Sequence, residues 1–94
     1  DYLAEGMRAH PGDRRLEILA AALDYRNSDL AGAESKLREV LRGSPHDGVA
    51  TLNLGIVLAE RDAKDESRTL LESLIAREPG SPLAWRAGKI VRLP

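Results

Sequence analysis

Pro11, Pro45 and Pro79 are separated by 34 residues twice over, and each closes a run of helical patterning. Proline lacks an amide hydrogen and clashes with the preceding turn, so evenly spaced prolines divide a helical chain into units. A period of this length suits a helix-turn-helix unit that cannot bury its apolar faces alone and does so by stacking on its neighbours. The expected fold is all-α, with antiparallel helix pairs stacked as an array. Such an array displays a long surface, a shape for holding other chains and not for enclosing a reaction.

Superimposing residues 14–47 on 48–81 places similar residues at equal offsets. Each unit opens with an apolar run, Leu16 to Leu23 in the first and Ala50 to Val57 in the second. These runs are apolar around most of their circumference, as expected of an inner helix covered on more than one side. The second half of each unit carries one stripe, Leu30, Ala33, Leu37, Val40 and Leu41, then Ser67, Leu70, Leu71, Leu74 and Ile75. A one-sided helix belongs on the outside, and Glu34, Lys36, Arg38, Glu39, Arg42, Arg68, Glu72 and Arg77 read as its solvated face. Asp13, Asp47 and Ser81-Pro82 are expected to start inner helices, and Asp62, Asp65 and Glu66 to serve as caps or first-turn acids. Six helices follow, about 1–9, 14–26, 30–42, 48–61, 64–77 and 82–92. Residues 1–94 thus form a single domain. Within it, 1–13 is a partial outer helix with Tyr2, Leu3 and Met7 at helical spacing, and 82–94 is a partial inner helix or a cap solvated by Lys89 and Arg92.

With 94 residues, 43% of them hydrophobic and 31% charged, the chain has material for one thin core. A net charge of −1 without a run of one sign gives no nucleic-acid footprint. No stretch reaches the roughly 18 apolar residues of a membrane span. The absence of cysteine rules out a disulfide scaffold and a thiolate metal site. His10 and His46 lie about one stacked unit, roughly 10 Å, apart, whereas a shared ion needs ligands at about 2 Å. No serine has a histidine partner in pattern and no glycine-rich phosphate loop occurs, so no catalytic residue, cofactor or metal is assigned. The chain begins at Asp1 and not at methionine. It is therefore expected to be a piece of a longer protein, with cytosol and periplasm both suitable compartments.

The repeated pattern resembles that of tetratricopeptide repeats, whose unit is also 34 residues long. The second unit matches at Leu54-Gly55, Leu58, Ser67, Leu71 and Pro79, and the first at Ala20-Ala21, Ala33, Leu37 and Pro45. Trp85 supplies the aromatic expected early in a third unit. Departures are Glu17 and Thr51 where an aromatic is common, Asp24 where tyrosine is usual, and Lys64 where an apolar residue often sits. The resemblance implies a right-handed α-solenoid. It also implies that Gly55 and Ala21 sit where inner and outer helices approach most closely, facing Ser67 and Ala33.

Tetratricopeptide ligands usually occupy the concave groove of inner helices. Carried over residue by residue, that groove is expected to be lined by Arg15, Ile18, Ala22, Tyr25 and Arg26 from the first unit. The second contributes Val49, Leu52, Asn53, Ile56, Ala59 and Glu60, and the third Leu83, Arg86 and Ile90. The occupant implied is a protein or peptide, an amphipathic helix or extended apolar segment, with arginines gripping carboxylates at the rim. The chaperone-tail clamp of some relatives does not carry over: of Ile18, Ala22, Asn53, Leu83 and Ala87, only Asn53 has the residue type required. Two other roles suit the same array. One is a structural spacer or homodimerisation segment, pairing through the groove or through end faces at Leu3, Met7, Leu83 and Trp85. The other is the substrate- or regulator-binding array of a larger enzyme.

Overall fold

The computed structural model describes residues 13–92 and contains five helices over that range. They are α1 (Arg14–Arg26), α2 (Leu30–Gly43), α3 (Gly48–Glu60), α4 (Lys64–Arg77) and α5 (Pro82–Val91). Helix ends fall within one residue of the sequence expectation, and the expected helix at 1–9 lies outside the described residues.

Side-chain caps explain where four of the five begin. The carboxylates of Asp13, Asp29 and Asp47 accept from the amides of Arg15, Gly32 and Ala50, each at 2.9 Å. Ser81 Oγ accepts from Ala84 N at 3.0 Å, with Pro82 in the first turn where its missing N–H costs nothing. Helix α4 has Ala63 at its N-cap and no side-chain cap, and Asp65 and Glu66 in its first turn complement the positive end of the helix dipole instead. Asp62, expected as a possible cap, is a turn residue. It has φ of 66°, as does its counterpart Ser28 one repeat earlier at 65°, so both intra-unit turns close through a left-handed residue.

Two apolar clusters hold the stack together. Ala21, Ala33, Leu37, Val40, Ala50, Leu54, Val57 and Leu58 join α1, α2 and α3. Leu52, Leu71, Leu74 and Ala87 join α3, α4 and α5. Helix α3 serves both clusters and buries seven residues, whereas α1 buries only Ala20 and Ala21. The inner-helix pattern is therefore fully realised in α3. On α1, Leu19 and Leu23 remain exposed.

Within the second unit the helices meet at Gly55. A Cβ there would lie 2.6 Å from Leu71 Cδ2, and Ser67 Oγ donates to the Gly55 carbonyl at 2.6 Å. Glycine and serine are thus required by contact and not by turn geometry. In the first unit Asp24 occupies the usual tyrosine position and pairs with Lys36 of α2. One repeat on, the same two positions hold Leu58 and Leu70, which pack in the first cluster. The polar pair is a substitute for an apolar one. Replacing either partner alone leaves a partly buried charge, whereas Asp24→Leu with Lys36→Leu restores the second unit's solution. The double variant is expected to be more stable than the sum of the singles predicts by about 1 kcal/mol, measured by urea unfolding.

Candidate functional site

Consecutive small residues make the hollow. Ala21 and Ala22 on α1 leave space that Ile56, one repeat on from Ala22, occupies on α3. A pocket of about 210 Å³ opens between the two inner helices, lined by Ala21, Ala22, Tyr25, Arg26, Leu37, Asn53, Ile56 and Val57. Its surface is almost entirely apolar. Asn53 supplies an amide and Arg26 a guanidinium that forms no ion pair among the described residues. Tyr25 closes one end by donating to Glu60 Oε1 at 3.0 Å, a bond that spans α1 and α3.

The same bond raises the Tyr25 hydroxyl above the ordinary tyrosine range, chiefly because the proton is held by Glu60. A raised folded value means the bond's stability is fully present below the unfolded pKa of about 10 and is lost as pH rises through the folded value. Tyr25→Phe is expected to remove this alkaline component and to lower stability by less than about 1 kcal/mol, since the pair is solvent-exposed. Chemical denaturation of both proteins between pH 8 and about 11 checks this.

Five of the residues expected in the groove, Ala22, Tyr25, Arg26, Asn53 and Ile56, come together here, and Glu60 joins them through Tyr25. The others are distributed differently. Leu52, also expected in the groove, is 1% exposed and lies in the second core cluster against Leu71, Leu74 and Ala87. Its position points at the next inner helix and not into the concave face. Ile18, one repeat earlier, is half-buried against the first cluster for the same reason. Ile90 and Ala59 border a separate, more polar hollow beside Lys64, Asp65 and Arg68. Val49 and Leu83 border a third at the Pro45–Asp47 turn, where Arg14 pairs with Asp47 at 3.0 Å. Arg15 is exposed beside Asp13, and Arg86 is exposed on α5. What the sequence pattern missed is the floor of the pocket, Ala21, Leu37 and Val57. The signal was present in the double alanine, which removes side-chain volume at two successive positions.

The outer face offers less. Arg38 bridges Glu34 at 2.8 Å and Glu66 at 2.9 Å, and Arg61 adds a contact to Glu34 at 3.2 Å. The Arg38 guanidinium holds the Glu66 carboxyl below the usual range. These charges satisfy one another across α2 and α4. His46 sits against Arg77, a cation, while His10 lies outside the described residues.

Stacked helix pairs of this kind define a helical-repeat fold. A tetratricopeptide repeat family model matches residues 24–89, well over half of the chain, and the chain belongs to that family. Tetratricopeptide repeats generally mediate protein–protein contact and are typically non-catalytic. Neither a search of curated proteins nor one of solved structures returned a match. Among the described residues no helix is long and apolar enough to cross a membrane.

Proposed function

We propose that the chain is a protein-binding scaffold whose contact surface is the concave pocket between α1 and α3. The observation that carries this reading is the meeting of an apolar floor with an amide and, at the rim, a guanidinium that forms no ion pair among the described residues. A volume of about 210 Å³ accommodates one large apolar side chain of a partner segment. Asn53 can pair with that segment's backbone, and Arg26 with a carboxylate beside the anchor. Selection of a random peptide library on the intact chain tests this. Enriched peptides are expected to share an apolar anchor and to lose at least tenfold in affinity on Ile56→Glu, while Glu72→Ala on the outer face leaves them bound. Peptides that bind Ile56→Glu unchanged would contradict the assignment.

Exposed Leu19 and Leu23 favour a second role, self-association through the flank of α1. Sedimentation equilibrium over a concentration series reads it: a dimer abolished by Leu19→Glu with Leu23→Glu supports pairing there, and a monomer at all concentrations excludes it.

A further inference from the structure

Arg77 is a cation with no ion-pair partner among the described residues. Expected on the solvated face of α4, it is half-buried instead and meets the turn that joins α2 to α3. Its terminal nitrogens find weak acceptors: Pro45 O at 3.4 Å, Thr51 Oγ1 at 3.5 Å, and Nδ1 of His46. Its Nε is buried with no hydrogen-bond partner. A guanidinium has donors and no acceptor, so Nδ1 of His46 accepts, and the neutral ring carries its proton on Nε2. A half-buried charge held this loosely costs stability until an anion completes its contacts.

A hollow of about 310 Å³ opens beside the guanidinium, between α2 and α4. Leu41, Pro45 and Leu70 give it apolar walls. The polar groups that line it are Arg77 and Ser73, one turn apart on α4, with His46 and Thr51 from the turn and α3. Thr51 is buried, while Ser73 and His46 stand exposed. Apolar walls with a few converging polar groups are the usual make-up of a small-ligand site, and the volume falls at the lower end of that range. Both helices that wall the hollow are described, as is the turn beside them, so it is not a face left open at an end of the stack. Nor does the repeat require its arginine. One repeat earlier, Arg77 and Ser73 are replaced by Gly43 and Glu39, and no described atom lies within 4 Å of where a Gly43 Cβ would be. The first unit closes without a side chain at that position.

We propose that this hollow, separate from the concave pocket, binds a small organic carboxylate. Its two oxygens accept from the terminal nitrogens of Arg77, and its apolar body lies against Leu41, Pro45 and Leu70. The Ser73 hydroxyl, which donates to Leu70 O at 2.8 Å, can turn to the ligand instead. One guanidinium matches the single charge of a carboxylate, whereas a phosphate dianion would find no second cation and would leave the apolar walls unused. A free acid and the C-terminus of a peptide share this chemistry.

The test titrates the intact, isotopically labelled chain with benzoate, benzamide, inorganic phosphate and a peptide ending in a free phenylalanine carboxylate. Benzoate is expected to shift the amides of His46, Thr51, Ser73 and Arg77 saturably. It should bind at least about fivefold more tightly than benzamide, with an advantage that shrinks as salt is raised. Ser73→Glu copies Glu39 of the first unit and places an acid one turn before Arg77, supplying the missing partner from within. That variant is expected to raise the urea midpoint and to weaken benzoate at least about tenfold. Arg77→Met should abolish the preference for benzoate over benzamide, and if it unfolds the chain, Ser73→Glu carries the test. A peptide that binds more tightly than benzoate assigns the carboxylate to a chain end, and a weaker one assigns it to a free acid. Equal binding of benzoate and benzamide, tighter binding of phosphate than of benzoate, or unchanged benzoate affinity in Ser73→Glu would overturn the proposal.

Discussion

Gly55→Leu is expected to unfold the second unit or to cost it at least about 3 kcal/mol, the upper end of what overpacking a core site commonly exacts. Even the first added carbon would lie 2.6 Å from Leu71 Cδ2 and 2.8 Å from Leu71 Cγ, well inside contact distance. Leu71 is 1% exposed and has nowhere to retreat without displacing α4. Gly55→Ala separates the effects. Alanine gains about 1 kcal/mol in helix propensity but meets the same clash, so its net change is expected to be small or unfavourable. Adding Leu71→Ala opens room for the new carbon. The Gly55→Ala, Leu71→Ala double variant should therefore be more stable than the two single changes sum to, a coupling read from urea unfolding of all four proteins. Additive behaviour would mean that Gly55 and Leu71 are not in contact.

Leu74→Ala is expected to cost about 3 kcal/mol and to do so unevenly along the chain. Leu74 is fully buried at the centre of the second cluster, between α3, α4 and α5. The first cluster does not contain it. Because a repeat array draws its stability from neighbouring contacts, damage to one cluster opens the units it serves before the rest. Amide hydrogen exchange should show α5 and the second half of α4 losing protection first, while α1 and α2 retain theirs. Uniform loss would mean that the two clusters unfold as one.

The proline period was enough to divide the chain into units, because a break in the hydrogen-bond ladder is a local property of the residue. Helix starts were equally legible where a side chain does the capping, as at Asp13, Asp47 and Ser81. At α4, which has no such cap, Asp62 read as a capping acid when it is the left-handed residue of the turn. Side-chain direction was the harder problem. Leu52 and Ile56 are separated by one helical turn, yet Leu52 is buried within the cluster that holds Ala87, while Ile56 is half-buried, packing against that cluster and also bordering the pocket. That difference depends on how far successive inner helices are rotated, which no single unit's pattern contains. The pocket itself depends on volume missing at Ala21 and Ala22, and periodicity treats alanine as simply apolar. Trp85 matches the family's early aromatic, and its ring lies exposed beside Lys89, whose Nζ is 4.4 Å from its centre.

In the proposed scaffold the pocket between α1 and α3 receives the partner segment. Amide and side-chain chemical shifts of the isotopically labelled chain, recorded during titration with a library-selected peptide, test it most directly. The largest changes are expected on Ala22, Tyr25, Arg26, Asn53 and Ile56, with the Asn53 side-chain amide among them. Changes concentrated on the outer faces of α2 and α4, around Arg38 and Glu66, with the pocket residues unmoved, would contradict it.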